Sequence, residues 1–436
     1  MDDTARTLLL ALDAVPYRVA QEAHRRGAFA GWAAPAPLVA PFPSLTHPSF
    51  AALFQPFGVA PSWGYEVRYF DTEANRTVGG NPVSYAGEVP PWAELLDQPH
   101  AGVVAKVSNY VSALRAADAE VERLVEEVLA SPRDVVIGYV GATDGIAHLY
   151  EDDALVEFLV ELDARVRDLA RRHHDLRGRP LRVVLFSDHG CGRSRVHYTG
   201  SLKPALRAAG LHVVDRLAGP ADVVAPTFGI VNYAALFLQD ADRAEVAAVA
   251  MTSHEAVELA AYSPAPDVVD VVARSGRACV RRRSTSDGMR YAYEDVSGDV
   301  LRLADPARRL AAAGLRDADG FVHEDDWLRA TAFEAYPDPL RRLADALTGD
   351  RVRSRATVLV SLGPGWSWGW RSAFAGGLAR GGRLKGTHGG LDREGSLGFL
   401  LVDDPALAPS GAVRADAALA PFAGAVRAGR GPGSGG

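Results

Sequence analysis

The stretch Val183–Gly190, VVLFSDHG, constrains the fold more than any other part of the chain. Four apolar residues in a row fit a strand buried on both faces, as in a parallel sheet. The run then stops at Ser187, Asp188, His189 and Gly190. A carboxylate beside an imidazole offers two good ligands for a divalent metal. In an open α/β sheet, ligands bind outside the carboxyl ends of the strands. Taken alone, the same residues also fit a helix cap with an incidental histidine.

The pattern recurs. Leu8–Val15, LLLALDAV, reads as a first strand ending near Asp13. Asp13 there either caps the helix expected over Tyr17–Arg26 or serves as a ligand. Asp134–Val140, DVVIGYV, reads as another buried strand and runs into GATDGIAH. Asp144 and His148 stand four apart, so one helical turn puts them on the same side. An amphipathic helix over Leu155–Arg172 precedes the strand Leu181–Phe186. Strand, loop and helix thus alternate, which predicts an α/β fold with a doubly wound, mostly parallel sheet. Three strands that each end in a potential ligand point to one shared site.

Between these strands lie segments of other kinds. Ala33–Val39 is proline-rich and reads as loop. In Pro41–Phe50, PFPSLTHPSF, Thr46 precedes a proline suited to the first turn of a helix. Thr46 either caps that helix or is a hydroxyl nucleophile at its anion-favouring end. Trp63–Asp71 is strand or ordered loop, Asn75–Asn81 a turn, and Val107–Leu129 a surface helix. From Phe228 to Leu347 the texture changes, with a strand over Gly229–Leu238 and a helix over Ala241–Tyr262. Arg277–Arg283 and Tyr291–Leu303 read as antiparallel strands. The basic run Arg281–Arg283 fits a solvated face or a substrate contact. Arg355–Ser361 reads as a late strand returning to the main sheet. It feeds a loop with Trp366, Trp368 and Trp370, which either stacks on a substrate or forms a packed lid. His388 follows, between glycines. The expected organisation is a core of residues 1–227 and 350–423, an inserted smaller α+β cap of 228–349, and a disordered tail of 424–436.

Charge narrows the function classes. A net charge of −7 gives no global basic field, so general nucleic-acid binding is not expected. The two cysteines, Cys191 and Cys279, form neither a disulfide framework nor a zinc ribbon. Cys191 follows the DHG triplet and is read as a small buried thiol, with a metal role as the rival. The first residues are acidic and Asp13 breaks their apolar run, so neither a signal peptide nor a membrane span is predicted. A cytoplasmic location is the resulting expectation. The oligomeric state is not legible.

Asp13, Thr46, Asp144, His148, Asp188, His189 and His388, in this order and within FPSLTHP, TDGIAH, SDHG and GTHGG, resemble the alkaline phosphatase superfamily. The similarity is to its type I phosphodiesterase/nucleotide pyrophosphatase branch. It covers about Leu8–Phe228 and Arg355–Asp404. The resemblance implies one metal on Asp144, His148 and His388. It implies a second on Asp13, Asp188 and His189, with the Thr46 hydroxyl as a further ligand. The family usually holds two Zn²⁺, and Mn²⁺ also suits an Asp/His set. The implied activity is hydrolysis of a small-molecule phosphoester through a covalent phospho-threonine. A bound cation makes a threonine hydroxyl a competent nucleophile, and two cations can bracket an in-line displacement.

Departures from the family sharpen the expectation. Sulfatases carry Cys or Ser followed by x-Pro-x-Arg, whereas here Thr46 is followed by Phe50 in the arginine's place. The branch's phosphate-holding Asn falls on Val67, which leaves Glu66 or Arg68 as candidate substitutes. His47 stands where Phe is common. Phosphoglycerate-mutase-type relatives use Ser and a different cap. A phosphodiesterase is therefore favoured. A phosphomonoesterase, a phosphotransferase or mutase, and a non-catalytic phospho-ligand binder are the alternatives.

Overall fold

A computed structural model describes residues 5–80, 89–97, 112–199, 201–368 and 384–430. Its first sheet has six strands, and three parallel ones form one side of it, with Val135–Val140 at the edge. Arg6–Leu12 lies between Leu181–Phe186 and Val135–Val140, parallel to both. Successive side chains on a strand face opposite ways. Leu8, Leu10 and Leu12 accordingly pack on one side, against the helices Tyr17–Arg25, Ala113–Ala130 and Asp152–Arg177. Leu9 and Ala11 pack on the other, against Phe50, Leu53 and Phe54 from Thr46–Leu53 and the residue after it. Both faces are covered, so these strands read as unbroken apolar runs. At about 1.5–3 kcal/mol for each large apolar side chain buried, this core is the main force holding the layer together.

Register brings the strand ends level. Leu12 pairs with Val140, and Ala11 with Phe186. The chains leading to Asp13, Asp144 and Asp188 therefore leave the sheet at one edge. Two more strands aim at the same edge. Leu397–Val402 runs antiparallel to Leu181–Phe186, so its start, just after the His388 loop, lies where the parallel strands finish. Ala36–Val39 runs antiparallel to Leu397–Val402 and so points with the three parallel strands, delivering Thr46 there.

The second sheet has nine strands, drawn from His212 to His323 and from Val358–Leu362. Its two faces pack on the helices Ala304–Ala312, Glu324–Thr331 and Pro339–Thr348, and on Lys203–Ala208 and Ala244–Thr252.

Several expectations are corrected. The proline-rich segment expected as loop contains the strand Ala36–Val39, because Leu38 and Val39 find buried partners in Gly398 and Leu397. Val358–Leu362 does not return to the first sheet. It sits between Tyr233–Leu238 and Val257–Ala265 in the second. The helix expected over 241–262 covers only Ala244–Thr252. Beyond it Val257–Ala265 is drawn into pairing on both sides, with Val268–Ala273 and Val358–Leu362. Ala423–Arg430 is helical rather than disordered, since Val426 is buried against the first sheet's core. Residues 431–436, and the part of the 107–129 helix before 112, lie outside the described residues. No described helix is long and apolar enough to cross a membrane.

Candidate metal centre

Five chain segments meet at the shared edge, and six of their side chains form two groups. One comprises Asp144, His148 and His388, the other Asp13, Asp188 and His189. Within each group the ligand atoms lie within 4.8 Å of one another. The His189 and His388 rings stack at 4.2 Å between centroids, so the groups adjoin and form one site. The helix Ala142–Leu149 carries Asp144 and His148 one turn apart, as their spacing predicts. Gly190 of the SDHG run has no room for a side chain. A Cβ there would meet the carbonyl oxygens of Glu394 and Leu397 at 2.3 and 2.6 Å.

The histidines are oriented alike. Nδ1 of His148, His189 and His388 lies 2.9, 2.9 and 3.2 Å from the carbonyl oxygens of Gly386, Gly190 and Ser44. A carbonyl only accepts, so each Nδ1 carries the proton and donates it. Each Nε2 then turns a lone pair inward. Opposite it stands a carboxylate: Asp144 Oδ1 is 3.2 Å from His148 Nε2 and 3.4 Å from His388 Nε2. Asp188 Oδ2 is 3.3 Å from His189 Nε2. Two acceptors this close repel unless a proton or a cation lies between them. An imidazole whose other nitrogen is tied to a backbone carbonyl is the usual arrangement of a metal-ligating histidine.

Electrostatics point the same way. Asp13 and Asp188 are buried, and Asp13 Oδ1 and Asp188 Oδ2 accept no hydrogen bond among the described residues. Burial, then the neighbouring Asp188 and Asp144 charges, push the Asp13 carboxyl well above its usual range. Burial raises Asp188 to about 7, with Asp144 adding to it. Burial also raises Asp144, but His148 and His388 outweigh it and hold that carboxyl well below the normal value. Burial and the adjacent His388 keep His189 well below its usual pKa, so it stays neutral. A neutral imidazole between two charge-starved carboxylates lacks the positive charge that a divalent cation would supply. The residues fit two such ions.

Thr46 opens the helix Thr46–Leu53, with Leu45 before it in extended conformation. Its hydroxyl therefore sits at the positive end of the helix dipole. Oγ1 lies 3.4 Å from His189 Nε2, beside the second group.

The chain matches the family model described as type I phosphodiesterase/nucleotide pyrophosphatase over residues 31–315. It belongs to that family. The phosphodiesterase family is metal-dependent, and membership supports phosphoester hydrolase activity. Human ectonucleotide pyrophosphatase/phosphodiesterase 5 is a similar structure, 11% identical, with 97% of this chain and 94% of that chain covered and a TM-score of 0.48. Phosphonoacetate hydrolase from Sinorhizobium meliloti 1021, in complex with phosphonoacetate, is 11% identical, with 97% and 96% covered and a TM-score of 0.50. No curated protein matches the chain. The alkaline-phosphatase-like fold expected from the sequence is the one the phosphonoacetate hydrolase structure shares.

The four residues considered for substrate contact stand in different surroundings. Glu66 is partly buried and accepts from Gly229 N at 2.8 Å and from the Tyr233 hydroxyl at 3.0 Å. Burial raises its carboxyl to about 7. Arg68 lies in the strand Arg68–Asp71, in a hairpin with Arg76–Gly79. Trp366 pairs with His197 and its ring is 5.9 Å from that imidazole. Trp368 is 3% exposed and packs among Leu206, Leu236 and Val360, so its ring is core rather than a stacking surface. Trp370 lies outside the described residues. The basic run faces solvent-side acids, Arg282 on Asp267 and Arg283 on Asp317 and Asp319. Cys191 is buried and belongs to neither ligand group.

Three supporting residues gave no local signal in the sequence. Tyr139 donates its hydroxyl to Asp13 Oδ2. Arg342, buried on the second layer's helix, donates to the hydroxyls of Ser44 and Ser396 at 2.8 and 2.7 Å. It thereby ties the loop before Thr46 to the His388 loop. Asn232 donates its backbone N–H to the His388 carbonyl at 2.9 Å, and its side-chain oxygen accepts from Gly390.

Proposed function

We propose that this protein is a two-metal phosphodiesterase that cleaves a small-molecule phosphoester through Thr46. The observation that carries this reading is the junction of two ligand triads with a threonine hydroxyl at a helix start beside one of them. Asp144, His148 and His388 would hold one divalent cation. Asp13, Asp188 and His189 would hold the other, with the Thr46 hydroxyl as a further ligand. Zn²⁺ fits best, and Mn²⁺ suits the same donors. When bound, the two ions supply the positive charge that activates a hydroxyl and offsets the phosphoryl oxygens.

The remaining work falls to the chain. The helix start at Thr46 favours an incoming anionic phosphoryl group. Thr46 Oγ1 forms a bond to phosphorus as the alcohol or phosphate leaving group departs on the opposite side. Water then releases the phosphoryl group from Thr46. Burial of Asp13, His148, Asp188, His189 and His388 excludes bulk water and strengthens each electrostatic contact. The first sheet with its helices would form the catalytic core, and the nine-stranded sheet, which takes in Val358–Leu362 as well as strands from 228–349, would form the cap.

The test is to quantify bound metal and compare a generic phosphodiester with the matching monoester. Two equivalents of zinc or manganese with faster diester cleavage supports the reading. Faster monoester cleavage moves the protein to the phosphatases. Transfer to an added acceptor alcohol moves it to the phosphotransferases. Absence of both metal and turnover after reloading would overturn it.

A further inference from the structure

Tyr139 sits at the penultimate position of Val135–Val140, and its ring leaves the sheet on the side of the nucleophile helix. Phe50 from that helix meets it edge-on at 5.4 Å, and Trp92 meets it edge-on at 5.7 Å. The hydroxyl end reaches past these rings to donate to Asp13 Oδ2. Gly141 makes this reach possible. A Cβ at 141 would meet Tyr139 Cε1 at 2.9 Å and its hydroxyl oxygen at 3.1 Å.

Asp13 is thus split between two tasks. One oxygen accepts from Tyr139, and the other, Oδ1, is buried without a hydrogen bond among the described residues, 3.8 Å from His189 Nε2. Asp188 is held in a parallel way. Its Oδ1 accepts from Ala14 N at 3.1 Å, while Oδ2 turns to His189. Both carboxylates therefore use one oxygen on the protein and leave one for the centre. For Asp188 the anchor is backbone. For Asp13 it is the Tyr139 side chain.

We infer that Tyr139 is a positioning residue for the Asp13, Asp188 and His189 site, fixing Asp13 so that Oδ1 alone faces the cation. This rests on the two-metal reading above. A phenol keeps its proton at neutral pH and so donates throughout the working range. Partners of this kind set the orientation of a ligating carboxylate, and losing one typically weakens metal binding about 10–100-fold. The same ring packs on Phe50 four residues after Thr46, so the ligand and the nucleophile helix are located by one side chain.

The experiment titrates metal-free wild-type protein and Tyr139→Phe with Zn²⁺ alone, by calorimetry and by competition with a chromophoric chelator. Phenylalanine keeps the ring packing and removes only the hydroxyl. The expected result is one site unchanged and one weakened about 10–100-fold, with the metal-free melting temperature unaltered. Co²⁺-loaded protein should show a changed visible spectrum for that site only. Adding Tyr139→Phe to Asp13→Asn should weaken binding no further than Asp13→Asn alone. Equal affinities at both sites in wild type and Tyr139→Phe would overturn the inference while leaving the two-metal reading intact. Equal weakening of both sites would also overturn it, as a general loss of structure. A wild-type protein that binds no Zn²⁺ would overturn the reading and the inference together.

Discussion

Glu66 gives a prediction whose size comes from its surroundings. Its carboxyl is raised to about 7 from an ordinary value of 4.5, chiefly by burial. A raised carboxyl means that the folded protein holds this proton after the unfolded chain has released it. Stability from this group is therefore fully present below about pH 4.5. It falls as pH rises towards 7 and levels off above that. A gap of about 2.5 units at about 1.4 kcal/mol each sets an upper bound of about 3.5 kcal/mol. Partial solvent exposure of Glu66 reduces this to an expected ~1–2 kcal/mol. Glu66→Gln removes the titration and keeps the shape. The amide oxygen can accept from Gly229 N, and the amide NH₂ can donate to the Tyr233 hydroxyl. The assay is urea denaturation of both proteins at pH 5 and pH 8.5. The stability of Glu66→Gln relative to wild type should increase by ~1–2 kcal/mol between the two. An unchanged difference would refute the burial argument.

Other substitutions and treatments test the site itself. Thr46→Ala should keep the fold and both metals but lose nearly all turnover of a phosphodiester. Wild-type rates in that variant would exclude Thr46 as nucleophile. Chelation should lower the melting temperature. A cation at about one hundred times its Kd contributes about 2.7 kcal/mol per site. Spread over the unfolding entropy of a chain this long, that is about 3 °C per site by differential scanning calorimetry. Gly190→Ala should cost about 1–3 kcal/mol, because the new Cβ faces two backbone carbonyls that cannot swing away. It should also weaken binding at the His189 site, as measured by zinc titration.

Much of this centre was legible because strand ends and short-range spacing carry it. Asp144 and His148 share a helical turn, and Asp188 and His189 are adjacent, so local geometry alone brings each pair together. Asp13 and His388 are distant in sequence, and the resemblance to a known family linked them where spacing could not. The second layer was harder to read. Val257–Ala265 has the alanines of a helix, yet two neighbouring strands claim it. Ala36–Val39 carries a proline, yet Leu38 and Val39 gain more from burial than the proline forfeits in hydrogen bonding. Trp368 stood in a glycine-rich loop that fitted a stacking surface and a packed lid equally, and its place among Leu206, Leu236 and Val360 makes it core. Tyr139 and Arg342 act across the fold through partners 126 and 298 residues away, a relation that no window of sequence displays.

The central claim is that Thr46 forms a covalent bond to phosphorus during turnover. Acid-quenching the metal-loaded enzyme during hydrolysis of a phosphodiester, followed by peptide mass spectrometry, tests it most directly. An adduct on the peptide containing Thr46 in which the phosphorus keeps the ester group that has not departed, absent from Thr46→Ala, is the predicted result. Full turnover with an unmodified Thr46 peptide, and undiminished rates in Thr46→Ala, would contradict it.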